Sequence, residues 1–267
     1  MKNGFTVFFA AFIALGASWT GFVLGPTLQL GHQKLTTVMN STDPYPMQRT
    51  GEATLGLQVY RANGCVTCHT EQIQQDGVAC TVVLTGAGKN PNAVSNLLST
   101  LKLDGLTEGE AASVADKITA AGGKSETQIY ATGDDIIARG WGIRHSVAAD
   151  YLYDYPVQLG SLRVGPDLAA IGVRQPDANW QLAHLYAPQS KMPGSGMPAF
   201  KFLFELRKVN GTPSPEALAL SGQFAPADGY EVVPKPEARE LVAYLLSLRA
   251  DKPLYEAPFT PSVAATK

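Results

Sequence analysis

Residues 64–70 read Gly-Cys-Val-Thr-Cys-His-Thr, and no other stretch narrows what this chain can be so sharply. Two thiols three residues apart on one turn of backbone can both reach the same edge of a flat ligand. C-x-x-C-H is the spacing of c-type haem attachment. Cys65 and Cys68 would each add to a vinyl group, and His69 would sit under the iron as an axial ligand. A zinc site would want a second Cys/His pair at similar spacing, which the sequence lacks. A redox dithiol would open a helix in a βαβ setting, which the surrounding residues do not resemble. One motif means one covalent haem c. Of the three cysteines this leaves Cys80 unpaired, which reads as a small buried thiol.

The second constraint lies at the N-terminus. Between Lys2 and Lys34 there is no Asp, Glu, Lys or Arg. As a helix, the apolar run from Phe5 to Leu24 spans about 30 Å, the thickness of a bilayer core. A cleaved signal peptide would have a shorter run followed by a small-residue site, and Ala17-Ser18-Trp19 is a poor one. Residues 1–30 therefore read as a retained single-pass anchor. Haem is attached to such proteins outside the bacterial cytoplasm. That places the haem domain on the periplasmic side of the inner (plasma) membrane, with Lys2 inside. A net charge of −2 gives no nucleic-acid footprint.

Residues 31–50 hold turn formers (Asp43-Pro44-Tyr45-Pro46) and no periodicity, and read as a linker or a pad against a partner. A helix over 51–62 would deliver the chain into the haem motif. From about 77 to 128 the pattern changes to β-α-α-β. It has a strand near Cys80–Leu84, a helix started by Asn90-Pro91, and a second opened by a Thr107/Glu110 capping box. A second strand follows near Ser125–Tyr130. The small apolar set of this unit marks an inserted subdomain at the lower size limit for independent folding. Residues 131–175 read as ordered loop, 177–186 as a helix ended by Pro188, and 192–234 as loop. A last helix starts at Pro236 with Ala238, Leu241, Val242, Leu245 and Leu248 on one face, and the tail from Asp251 reads as extended with a disordered end.

The sixth iron ligand has several candidates. His32, His145 and His184 are the free histidines; Met39 and Met47 lie in the linker. Met192 and Met197 lie in a Gly/Pro-rich loop that can aim a thioether, and Pro198 stiffens the chain after Met197. Thioether ligation raises the reduction potential. The polar cluster Arg139, Trp141, Arg144, His145 and Asp150 suits either haem carboxylates and a partner or a solvated loop. Trp180 and Tyr186 read as core residues.

The order helix, C-x-x-C-H, Gly165-Pro166-Asp167-Leu168, helix, Met197-Pro198, helix resembles a class I cytochrome c. The resemblance implies a mainly α fold: the N-terminal transmembrane helix, a cytochrome c domain over 51–76 and 129–250, the inserted α/β subdomain at 77–128, and a tail at 251–267. It also implies Met197 as the axial thioether and the Pro166 carbonyl as acceptor for the other ring nitrogen of His69. More closely, the chain resembles the membrane-anchored monohaem subunit (subunit II) of cbb3-type cytochrome c oxidases. The likeness runs through Asn63–Gln72, Tyr151-Leu-Tyr-Asp-Tyr-Pro, Gly160-Ser-Leu-Arg-Val-Gly-Pro-Asp-Leu, Asn179-Trp180, His184-Leu185-Tyr186 and Pro193-Gly-Ser-Gly-Met-Pro-Ala-Phe. The 77–128 insert and a long 201–235 segment depart from that pattern. The resemblance implies electron relay in aerobic respiration. Electrons would pass from a dihaem cytochrome c subunit or a soluble cytochrome c to the haem/copper subunit that reduces oxygen. The chain itself would be an electron-transfer subunit, without copper ligands and with one span. The rival readings are a tethered cytochrome of another respiratory complex and a haem-based sensor.

Overall fold

The computed structural model describes residues 4–30 and 34–260. Helices α1 (Gly4–Trp19) and α2 (Gly25–Leu30) are joined by a π-helical turn at Thr20–Leu24 into one rod. Over its 26 residues from Gly4 to Gln29 the rod is long and apolar enough to cross a membrane, and it buries nothing against the rest of the chain. At 1.5 Å per residue it measures about 39 Å. His32 and the chain end at 261–267 lie outside the described residues.

The linker is more ordered than its composition suggests. Strands β1 (Thr36–Thr37) and β2 (Pro44–Tyr45) pair antiparallel, and Tyr45 is buried. Arg144 explains why. It is fully buried, and all five of its N–H donors are used: Nε on Lys252 O, Nη1 on His145 O and Asp150 Oδ2, Nη2 on Tyr45 Oη and Asp150 Oδ1. Tyr45 in turn donates to Asp150 at 2.5 Å. One guanidinium thus ties the linker, the 144–150 loop and the C-terminal segment together. The solvated-loop reading of Arg144 and Asp150 is overturned.

Helix α3 (Gly51–Ala62) starts where the Thr50 side chain accepts the Ala53 N–H, a side-chain N-cap. It packs Leu57 and Tyr60 against Leu241, Tyr244 and Leu245 of α9 (Pro236–Ser247). The rings of Tyr60 and Tyr244 lie 5.1 Å apart. The crossing is close because α3 presents a glycine: a Cβ on Gly56 would stand 1.9 Å from Glu240 O and 2.8 Å from Tyr244 Cβ. Helices α6 (Ile171–Arg174) and α7 (Ala178–Tyr186) close the same apolar cluster, with Leu168, Leu182, Leu185, Leu203 and Val232 inside it, and α8 (Pro188–Lys191) packs on α7.

Between α3 and α6 lies a unit with its own centre. Strands β3 (Gly77–Gly86) and β4 (Lys124–Thr132) pair antiparallel with Cys80 opposite Ile129. Helices α4 (Pro91–Leu98) and α5 (Glu108–Ala120) cover one face. Thr107 and Glu110 form the capping box that opens α5. Cys80, Val82, Leu106, Ala111, Val114 and Ile118 form an apolar cluster separate from that of α3 and α9.

One expectation is corrected and two are extended. The 192–234 stretch contains a hairpin, β5 (Phe204–Lys208) with β6 (Tyr230–Pro234), hidden in the sequence because β5 exposes most of its residues and β6 buries four in a row. Pro188 does not only end a helix; it sits at the first position of α8, where its missing N–H costs nothing. The tail is packed through Thr260. Leu254, Ala257 and Phe259 are buried, and the Thr260 N–H donates to Ile129 O at 2.7 Å.

The α3–α9 contact yields a test. Gly56→Ala forces a methyl against backbone that cannot move independently, and is expected to lower the unfolding free energy by about 1–3 kcal/mol. Denaturant titration followed by far-UV circular dichroism measures it.

Candidate functional site

Residues 65–67 form a single 3-10 turn, fixed by His69 N–H on Cys65 O at 3.0 Å and Thr67 Oγ1 on Gly64 O at 2.7 Å. Both thiols are free; Cys68 is exposed and Cys65 half-buried. Burial pushes the Cys65 thiol up to about 11. Cys65 and Val66 also touch the apolar cluster of α3 and α9.

The His69 ring has one nitrogen already committed. Nδ1 lies 2.8 Å from the carbonyl oxygen of Pro166, which can only accept. Nδ1 must therefore carry the proton, and Nε2 keeps a free lone pair, the arrangement a metal-ligating histidine needs. Gly165 lies flat against the ring: a Cβ there would stand 2.2 Å from His69 Cε1 and 2.7 Å from Nδ1. The segment before it wraps the motif with backbone bonds. Ser161 N–H reaches Val66 O at 3.4 Å, Gly165 N–H reaches Cys68 O at 2.9 Å, and Leu168 N–H reaches Thr70 O at 2.7 Å.

Among the methionines, Met197 is half-buried and packs on the same apolar cluster as Cys65 and Val66, together with Tyr186 and Phe200. Met192 and Met47 are exposed and lie outside it. Met39 belongs to the linker, where its N–H donates to Pro253 O. His184 stacks on Trp180 with ring centres 4.8 Å apart, and its Nδ1 is buried. Burial lowers its pKa, against the opposing effect of the Pro188 backbone.

These features fit a haem c. The thiols are unpaired on one turn, the facing imidazole has the right tautomer, a glycine keeps its flank clear, and a soft thioether shares the apolar wall. Among the described residues no group of three or more His, Cys, Asp or Glu side chains gathers to hold a bare metal ion.

Two polar anchors that the sequence did not single out hold the chain just after His69. Asp135, on a π-helical turn at Asp134–Ala138, takes the Gln74 N–H at 2.9 Å and the guanidiniums of Arg163 and Arg139. Arg139 and Arg163 also lie over the Trp141 ring, at 4.8 and 5.3 Å. Glu71 is buried and takes the Tyr244 hydroxyl at 2.9 Å on each oxygen. Burial pushes its carboxyl up to about 8, while Arg49 nearby is claimed by Asp154. Glu71 and the Arg49–Asp154 pair line a cavity of about 480 Å³ beneath the linker.

Asp135 carries a pH signature. Burial would raise its carboxyl, but the Gln74 N–H and the Arg163 and Arg139 guanidiniums outweigh that and hold it below the ordinary carboxylate value. A depressed acid stabilises the fold above its unfolded value of about 3.9 and loses that contribution as the pH falls further. The unfolding free energy of Asp135→Asn should therefore fall less steeply than that of the wild type between about pH 5 and 2. Equilibrium unfolding at a series of pH values measures the difference.

No curated protein matches the chain. Residues 137–223 match the family model described as cytochrome C oxidase, mono-heme subunit/FixO. The matched stretch holds Pro166, Met197 and the motifs between 150 and 200, and bears out the resemblance to the monohaem subunit II of cbb3-type cytochrome c oxidases.

Proposed function

We propose that this chain is a membrane-anchored monohaem cytochrome c that relays electrons to the haem/copper catalytic subunit of a cbb3-type oxidase. Haem c, when bound, supplies a one-electron Fe(III)/Fe(II) couple. The residues that would hold it are Cys65 and Cys68 through covalent bonds and His69 and Met197 as iron ligands, with Pro166 orienting His69. The observation that carries this reading is the hydrogen bond from His69 Nδ1 to Pro166 O, which leaves Nε2 free as a donor atom on a histidine that directly follows the turn bearing both thiols.

Each residue has a separate physical task. The Pro166 carbonyl holds the imidazole in one tautomer and makes it a stronger donor. Leu57, Leu168, Leu185 and Val66, in the cluster that Met197 joins, keep water from the site. Low water access and two fixed protein ligands reduce the rearrangement that accompanies a change of charge. The cytochrome domain is assigned to 51–76 and 129–250, with 77–128 as an insertion. The rod at 4–29 is assigned as the anchor, with the body on the periplasmic side. Partners are the catalytic subunit, a dihaem cytochrome c subunit and a soluble cytochrome c.

The test begins with the chain expressed alongside haem-attachment machinery. It should keep a pigment on a denaturing gel, and Cys65→Ala with Cys68→Ala should lose it. Met197→Leu should open the site and lower the reduction potential, whereas Met192→Leu leaves the spectrum unchanged. The reverse pattern removes Met197 from the assignment. Isolation in mild detergent should bring along a large haem/copper companion; a free monohaem protein would leave the haem chemistry standing and remove the oxidase.

A further inference from the structure

Asp167 has no part in the ligand set, yet it is fully buried at 0% exposure. Among the described residues no ion pair reaches its carboxylate; the Arg174 guanidinium donates instead to its backbone carbonyl. Both oxygens are spent on the chain around His69. Oδ2 accepts the Thr70 hydroxyl at 2.6 Å and the Gln72 N–H at 2.7 Å. Oδ1 accepts the Ala169 N–H at 2.8 Å. A buried carboxylate that forms no direct ion pair is costly even with the Arg174 charge nearby, so its three donors mark a site where geometry outweighs that cost.

The partners lie on both strands of one ladder. Gly165 N–H to Cys68 O, Pro166 O to His69 Nδ1 and Leu168 N–H to Thr70 O join 68–70 to 165–168 rung by rung. Asp167 lies between the last two rungs and grips Thr70 and Gln72, on the far side of His69 from the thiols. We propose that Asp167 is the positioning residue for the His69 imidazole. It fixes the register of the two segments, and with it the Pro166 O–His69 Nδ1 bond that sets how much electron density the ring offers. This rests on the haem reading above and extends it to a residue that supplies no ligand. When the clamp is loosened, the carbonyl withdraws, the imidazole becomes a poorer donor, and the oxidised iron is less favoured.

The test compares Asp167→Ala, Asp167→Asn and Thr70→Val in the haem-loaded full chain. It reads the exchange rate of the His69 ring Nδ1–H by NMR beside the reduction potential. Asp167→Ala should make exchange measurably faster than in the wild type and raise the potential. Thr70→Val, which keeps the charge and removes one grip, should fall between it and the wild type. If Asp167→Ala does not fold, Thr70→Val and Asp167→Asn decide by the same two readings. Wild-type exchange in these variants overturns the proposal, whether the potential is unchanged or rises, since a rise alone is an effect of charge. If the wild-type chain retains no haem, the haem reading fails separately. The ring nitrogen shifts of His69 in the haem-free chain then decide: a loss of the Nδ1–H form in the variants supports the clamp, and a wild-type pattern refutes it.

Discussion

The geometry around residue 69 depends on a hydrogen bond between groups 97 positions apart in the chain, His69 Nδ1 and Pro166 O. Neither end could be placed by local structure. The histidine leaves a tight turn, and the carbonyl belongs to a loop without regular secondary structure. What brings them together is a run of backbone bonds between 66–71 and 159–168, locked by the Asp167 carboxylate on one side and by Asp135 with Arg163 on the other. A loop of irregular backbone buried beside a core needs such partners, because each unpaired N–H or carbonyl there would cost free energy.

Much of the architecture was legible in the sequence because it is written in short-range signals. The Thr107/Glu110 box, the Asn90-Pro91 start and the Pro236 start each sit at a helix end in the structure. The apolar run at the N-terminus became one rod. The C-x-x-C-H spacing pointed to haem attachment, and Pro198 together with the resemblance favoured Met197 over Met192. The structure adds that Met197 meets the apolar cluster while Met192 faces solvent.

What stayed hidden depends on contacts distant in sequence. Asp135, Glu71 and Asp167 look like any acidic residues in a row of letters; their roles come from donors supplied by other segments. The β5–β6 hairpin lacks the alternation that marks a half-buried strand. Arg144 was grouped with residues suited to a partner or a haem carboxylate, but all five of its donors are spent inside the body. Charge type alone does not tell a docking arginine from a structural one.

That arginine has a mechanical consequence. By holding Tyr45 against Asp150 and Lys252, it makes the segment from Thr36 onward part of the body rather than a free leash. Only residues 31–35 then separate the apolar rod from the anchored portion, and a chain that short extends less than about 20 Å. The body can therefore stand off from the end of the rod by no more than that length. Whatever meets the body must do so within that reach of the rod.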